Sequence, residues 1–141
     1  MSLDAQITAA MASVPECIAA GYVDMSTGML MSVRTLETHP QEVLDMVAAA
    51  TADLFQGPTV SEIERRFKRE RGLPPNREIR YFKEMLVLSE NLIHVFLRAP
   101  SHPDHAAVFV TRRTANVGMV LTKARMSMQA LGEAVQGPAA G

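Results

Sequence analysis

Tryptophan is absent from this sequence, aromatic residues amount to only 5%, and cysteine occurs once. A single cysteine, Cys17, excludes an intrachain disulfide and therefore a disulfide-stapled fold. Because Cys17 lies in an apolar run, we interpret it as a buried thiol. The core must be built from aliphatic side chains and from the ten methionines, which fill irregular gaps and also suit adaptable binding surfaces.

The charge balance gives no overall preference for a polyanionic partner. Lysine and arginine number 14 against 15 acidic residues, for a net charge of −1, so the global field does not favour nucleic acid or an anionic membrane. No apolar stretch approaches the roughly 20 residues of a membrane span. The N-terminal segment also lacks the basic and apolar regions of a secretory signal. We therefore expect no nucleic-acid partner, no membrane span and a cytoplasmic location.

Motifs for catalysis and phosphate binding are missing as well. GxxxxGKS, GxxxxGKT, GxGxxG, GxSxG and HExxH do not occur. We therefore predict no enzymatic activity and no catalytic, cofactor-binding or metal-binding residues. The best enzyme candidates would be Asp24, His94 and Asp104, but the predicted elements give no reason for them to converge. We interpret His94 as a packing or interface residue.

Two local clusters have an alternative, structural interpretation. His102, Asp104 and His105 in SHPDH resemble metal ligands, but closed zinc sites need four ligands and no further Cys or His stands at motif spacing. A solvated turn is the favoured interpretation. Asn116 with Gly118 resembles the start of a phosphate-binding helix, yet a helix cap explains the pair more simply.

The first half of the chain predicts a helix, a β-hairpin and a second helix. Apolar residues recur at helical spacing over Leu3–Val14, and Pro15 ends that run. Strands are predicted at Cys17–Asp24 and Met29–Thr35, joined by a turn that contains glycine. The first strand is apolar on both faces, which indicates cover on both sides. The second helix is predicted from His39-Pro40 to Gly57-Pro58.

An additional helix is predicted at Thr59–Gly72, directly after the second helix. Thr59 and Glu62 have the spacing of a capping box. Ile63 and Phe67 share one helix face, so we expect them to pack inward while Arg65, Arg66 and Arg69 face outward.

Three strands and a final helix complete the predicted order. The strands are Arg80–Leu88, Leu92–Arg98 and Ala106–Thr111, with a polar loop from Pro100 to His105. The final helix starts at Asn116, and its apolar stripe includes Leu121, Ala124, Met128 and Leu131. We predict one domain over residues 1–136 and a disordered tail at 137–141.

This order resembles the roadblock/dynein-light-chain family. The likeness rests on the hairpin sequence CIAAGYVDMSTGMLMSVRTL and on the helix beginning NVGMVLTKARMSMQAL, and it covers Ala9 to Leu131 except an insert around Thr59 to Arg77. The resemblance implies an α+β fold of profilin-like type, α-β-β-α-β-β-β-α, with a five-stranded antiparallel sheet flanked by helices on both faces. The short extra helix is inserted after the second helix.

The resemblance also implies a non-catalytic dimer that acts as an adaptor or regulator. Third strands would pair across the two-fold axis, and second helices would pack together. The interface residues implied here are Val43, Met46, Val47, Ala50, Leu54, Tyr81, Leu86 and Leu88. The expected partners are a second copy or a related roadblock-type chain, together with a Ras-like small GTPase, a motor-type partner or another protein with an acidic surface.

The basic segment of the chain and the overall function each allow two interpretations. The segment from Arg65 to Lys83 has eight cationic and two acidic residues, a balance of +6 that leaves −7 for the rest of the chain. It is interpreted either as a solvated face or as a docking patch at Arg65, Arg66 and Arg69. The alternative function is a small-molecule sensor of PAS or profilin-like type, with a ligand held between sheet and helix.

Overall fold

The computed structural model describes residues 2–38, 41–74 and 82–136, and the following statements concern those residues. The helices and strands follow one another in this order along the chain: α1 (Leu3–Ser13), β1 (Cys17–Asp24), β2 (Met29–Thr35), α2 (Gln41–Gln56), α3 (Pro58–Glu70), β3 (Glu84–Leu88), β4 (Leu92–Ala99), β5 (His102–Arg112) and α4 (Val117–Gln136).

The five strands form one antiparallel sheet in the order β2-β1-β5-β4-β3. Strand β1 therefore lies inside the sheet between β2 and β5, while β2 and β3 form the two edges. This arrangement confirms the predicted fold class. It also explains the two apolar faces of β1, since an interior strand covered on both sides buries alternate residues in both directions.

Helices cover both faces of the sheet, and two core clusters result. On one face α1 and α4 pack against Tyr22, Phe109 and other buried residues. On the other face α2 contributes Ala48 and Phe55 to a smaller cluster that contains Val23. Neighbouring residues such as Tyr22 and Val23 enter different clusters because side chains alternate across a strand.

Turn and cap residues behave as their chemistry predicts. Gly28 closes the β1–β2 hairpin with φ of +74°, a conformation that glycine adopts without the steric cost of a Cβ. The backbone N–H of Met119 donates to Oδ1 of Asn116 over 3.0 Å, which confirms the predicted cap of α4. At the other end of the chain, the backbone N–H of Ala5 donates to Oγ of Ser2 over 3.1 Å and caps α1.

The extra helix is present, but its predicted start is wrong. The N-cap of α3 is Gly57, without a side-chain hydrogen bond, and Pro58 occupies the first turn. Thr59 already lies inside the helix, so Thr59 and Glu62 do not form the predicted capping box. A proline without an N–H is well placed in the first turn, where that group would lack a helical partner.

The predicted inward packing of two α3 side chains is also wrong, whereas its arginines face outward as predicted. Ile63 and Phe67 remain 36% and 38% exposed, whereas Glu64 is only 2% exposed. Helix α3 packs against α2 with the face centred on Glu64. At about 100° per residue, that direction is turned well away from Ile63.

Several element boundaries differ from the predictions or lie outside the described residues. Strand β5 begins at His102, so the predicted polar loop Pro100–His105 is reduced to a two-residue turn. Residues of SHPDH enter the strand because the backbone of His105 pairs with Asp24. Strand β3 begins at Glu84. The predicted strand start at Arg80-Tyr81, the helix start at His39-Pro40 and the tail at 137–141 lie outside the described residues.

Within the described ranges no helix is long and apolar enough to cross a membrane.

Candidate interaction surface

Strand β3 exposes apolar side chains at an edge of the sheet. Leu86, Val87 and Leu88 are 41%, 43% and 49% exposed. The strand pairs with β4 along one side, and no other strand of the described residues pairs with its other side. An edge strand offers unpaired N–H and C=O groups to another chain, and exposed apolar residues strengthen that tendency.

Helix α2 also has an exposed apolar face. Its buried residues are Ala48, Thr51 and Phe55, which follow one another at helical spacing. The stripe implied for the dimer lies beside these buried residues and extends to the outward side, where Met46 is the most exposed of its large residues at 69%. The exposed members of the stripe are Val43, Met46, Val47, Ala50 and Leu54.

The structure thus places seven of the eight implied interface residues at the surface. Five lie on α2, and Leu86 and Leu88 lie on β3. Tyr81 lies outside the described residues. Among the described residues, the large apolar members of this set are each more than a third exposed, as residues in a contact with another molecule would be in the free chain.

A buried arginine holds the end of α2 against the segment that enters β3. Arg98 of β4 is only 5% exposed. Its guanidinium donates to the carbonyl oxygens of Phe82, Pro103 and Phe55 over 3.0, 2.6 and 3.2 Å, and to Oε1 of Gln56 over 2.9 Å. It also lies 5.0 Å from the centre of the Phe55 ring. A cation at a helix C-terminus satisfies carbonyl groups that lack a helical donor, and it interacts favourably with the negative end of the helix dipole.

Sequence reasoning missed this role of Arg98. The available signal was a single cation near the end of the otherwise apolar strand sequence LIHVFLRA. Such a residue is buried only when hydrogen-bond acceptors surround it. Those acceptors come from distant parts of the chain, so the strand sequence could not indicate them.

The three arginines of α3 are exposed, and an acidic neighbour compensates two of them. Glu62 accepts from Arg65 over 2.6 Å and from Arg66 over 3.2 Å. Arg69 lies on the exposed surface as well. Surface pairs of this kind contribute only about 0–1 kcal/mol to stability. The three arginines therefore offer less positive charge than their number suggests.

The histidines of SHPDH belong to a small aromatic cluster rather than to the predicted solvated turn. The rings of His102 and His105 stack with centroids 4.9 Å apart. The Tyr22 hydroxyl and Nδ1 of His105 are hydrogen-bonded over 3.2 Å. Burial, assisted by the charge of His102, lowers the pKa of His105, although Asp24 and Asp104 oppose this. No three metal-ligating side chains come together in the described part of the chain.

Two of the three residues named as enzyme candidates, Asp24 and Asp104, lie close together beside His105, but His94 does not join them. Asp24 pairs with His105, whereas His94 pairs with Val110, five residues further along β5. At about 3.3 Å per residue, these positions are about 17 Å apart. Asp24 accepts hydrogen bonds from Ser26 in the hairpin turn, and they lower its pKa.

His94 and Cys17 also lie in surroundings that explain them as structural residues. The ring Nε2 of His94 is hydrogen-bonded to Oγ of Ser89 over 3.3 Å, and burial lowers the pKa of this histidine. Cys17 is buried, as predicted, and burial raises the pKa of its thiol. A thiol with a raised pKa is a poor nucleophile at neutral pH.

An apolar cleft of about 440 Å³ lies between α2 and the sheet. Its walls come from the N-terminal half of α2, from β1, β2 and β5, and from the start of β4. Its lining includes Ile18, Ala19, Gly21, Val23, Leu30, Thr35, Glu37, Val43, Leu44, Val47, Val108 and Arg112.

Solved structures of other proteins share this architecture over nearly the whole chain. A roadblock/LC7 domain from Streptomyces avermitilis superposes with a TM-score of 0.67 at 14% identity, covering 96% of this chain and 99% of that one. MglB from Myxococcus xanthus gives a TM-score of 0.68 at 13% identity, covering 95% and 94%. The gliding protein MglB from Thermus thermophilus gives 0.69 at 18% identity, covering 95% and 88%.

Sequence comparison adds nothing to this structural likeness. No protein-family model and no curated protein matches the chain. At these identities the likeness is one of backbone architecture, carried by the five-stranded sheet and the helices on its two faces. The chain therefore has the roadblock/LC7 fold.

Proposed function

We propose that this protein is a non-catalytic, dimeric interaction module of roadblock type. The observation that carries the proposal is the exposed apolar stripe of α2 together with the open apolar edge of β3. Pairing of two β3 strands would satisfy the edge, and packing of two α2 helices would bury the stripe. Both contacts remove apolar surface from water, which is the main favourable term in association.

The comparisons support assembly in an indirect way. One solved structure with this fold, which has 18% identity and a TM-score of 0.69, is described as MglB with tetrameric arrangement. Self-association is thus a property of a protein with the same architecture. In this chain a second copy, or a related roadblock-type chain, is the proposed partner.

The proposed role of the dimer is that of a cytoplasmic adaptor. In this role it would present a surface to a Ras-like small GTPase or a motor-type protein and regulate that partner. The basic residues Arg65, Arg66 and Arg69 on α3 are the proposed docking site for an acidic surface on it. Their exposure supports this assignment, and charge complementarity of this kind steers association and selects partners.

Light scattering on matched variants tests the dimer. We expect the wild-type protein to have the mass of a dimer at micromolar concentration. Met46→Asp and Leu86→Asp should each weaken the dimer at least about tenfold, because each places a charge in an apolar contact. Met126→Asp is the control, since Met126 is 68% exposed on α4 and lies outside the proposed interface. A wild-type mass of one chain, unchanged in all variants, would contradict the proposal.

A further inference from the structure

The cleft under α2 owes its depth to small residues of β1. Ala19 and Gly21 lie on its floor, while Val43, Leu44 and Val47 of α2 form the opposite wall. Along β1 the cleft extends from Val23 to Ile18, which is about 17 Å at 3.3 Å per residue. Its volume of about 440 Å³ is within the range of small-molecule sites. The cleft is thus long, narrow and mostly apolar.

The two ends of the cleft differ in chemistry. Val23, Leu30 and Val108 surround one end, and they are exclusively aliphatic. The other end contains Arg112 and Thr35. The sheet register places them there, because Thr35 pairs with Ala19, and Thr111, the residue before Arg112, pairs with Cys17.

Glu37 is the acidic group at the polar end. One cation and one anion therefore lie at the mouth of an otherwise aliphatic site. Such a distribution matches an amphiphile, with its chain inside and its polar head at the mouth. The exposed guanidinium of Arg112 suits a carboxylate, because it presents a planar fork of donors.

We propose that this cleft binds a single-chain aliphatic carboxylate. The hydrocarbon chain lies between α2 and β1, and the carboxylate contacts Arg112. The site is contained within one chain, so this inference does not depend on the proposed dimer. Val43 and Val47 nevertheless belong both to the cleft and to the exposed stripe of α2. A second copy packed on that stripe is therefore the competing occupant.

Fluorescence titration with dansyl-labelled undecanoate tests the proposal on the intact protein. We expect saturable binding to the wild type. Arg112→Gln should weaken this binding about tenfold or more, because a charge-assisted hydrogen bond is lost. The affinity for undecanol, which has no charge and is measured by competition with the probe, should be the same in this variant as in the wild type. Arg34→Gln is the matched control, since Arg34 is exposed on β2 but pairs with Ala20 and faces away from α2.

Filling the cleft provides the second arm of the experiment. In Gly21→Val the new Cβ would lie at contact distance, 3.4 Å, from Cδ1 of Leu30 and from the Ser32 carbonyl oxygen. Ala19→Leu fills the same floor if the first variant does not fold. Both should abolish binding of the labelled undecanoate and of undecanol.

Three results would overturn the proposal. The first is a wild-type protein that does not bind the undecanoate probe. The second is binding that neither Arg112→Gln nor the filling variants change, which would place the probe elsewhere. The third is a loss of dimer mass in Gly21→Val without probe binding to the wild type, which would identify the second copy as the occupant.

Discussion

The guanidinium of Arg98 connects three parts of the chain that are far apart in sequence. Its acceptors are the end of α2, the residue Phe82 before β3, and Pro103 near the start of β5. A backbone carbonyl that is buried without a donor costs about 1–3 kcal/mol. Arg98 therefore stabilises the molecule mainly by pairing with acceptors that are buried or partly buried.

Replacing Arg98 by Met should be strongly destabilising. Methionine has a similar length but no donor, so the buried carbonyl of Phe55 and the partly buried acceptors of Arg98 would lose their partner. We expect the free energy of unfolding in urea to fall by about 3 kcal/mol or more. Arg34→Met is the control, and as an exposed substitution it should change stability by less than about 0.5 kcal/mol. Equal effects of the two variants would show that Arg98 has no special structural role.

At the scale of elements, α3 is the helix whose buried face differs most from the face that its sequence pattern predicts. Its packed face is centred on Glu64, while Ile63 and Phe67 are more than a third exposed. Among the described elements, α3 packs mainly against α2. A peripheral helix with exposed basic residues can change its surface without disturbing the sheet.

Replacing Arg65, Arg66 and Arg69 together by Gln tests the docking face of α3. We expect the free energy of unfolding to change by less than about 1 kcal/mol, since the ion pairs with Glu62 are exposed. Binding of a polyglutamate peptide, used as an acidic probe, should weaken. In the wild type this binding should also weaken as salt rises, because exposed charges are screened. Isothermal titration at low and high salt provides the measurement.

The control for α3 has the same change in charge elsewhere. Arg34, Arg113 and Lys123 lie outside α3, on β2, in the turn after β5 and on α4. Their combined replacement by Gln should leave the polyglutamate affinity close to that of the wild type. If both triple variants lose affinity equally, net charge rather than the face of α3 determines binding.

At the scale of the whole molecule, the protonation of two histidines makes the stability of the fold depend on pH. Burial lowers the pKa of both His94 and His105 below the ordinary value of 6.5. Each therefore binds a proton less readily in the folded chain than in the unfolded chain. Their contribution to stability is complete above pH 6.5 and decreases as the pH falls below it, because unfolding then takes up protons.

Urea unfolding between about pH 8 and pH 5 checks this dependence. We expect the denaturation midpoint to be constant at the alkaline end and to fall on the acidic side of the unfolded histidine pKa. His94→Asn with His105→Asn should flatten the curve in this window. A wild-type midpoint that rises on acidification through the same window would show that the folded chain prefers the protonated rings.

The whole molecule also has two sheet edges of different character. Edge strand β3 is part of the proposed dimer interface, together with the exposed stripe of α2. The other edge strand, β2, has a register shift opposite Tyr22/Val23. Bulges of this kind twist an edge and make it less suitable for pairing with another chain. The sheet is therefore better suited to extension at β3 than at β2.

The sequence by itself determined the elements and their order. Strands β1 and β2 have the predicted bounds, since alternation of side chains and the glycine at position 28 are local signals. Asn116 likewise indicated the start of α4, because a cap acts on the next turn of the same helix. Resemblance to the roadblock pattern then supplied the layered fold and the implied interface residues.

Only the tertiary structure decided which apolar faces are covered. Helix α2 is apolar around much of its circumference, so periodicity could not indicate that Ala48 and Phe55 face inward while Met46 faces outward. The same holds for the direction of α3, the acceptors of Arg98 and the cleft above Gly21. These features arise from contacts between segments distant in sequence, and local periodicity reports only the preference of a segment for burial, not the partner that buries it.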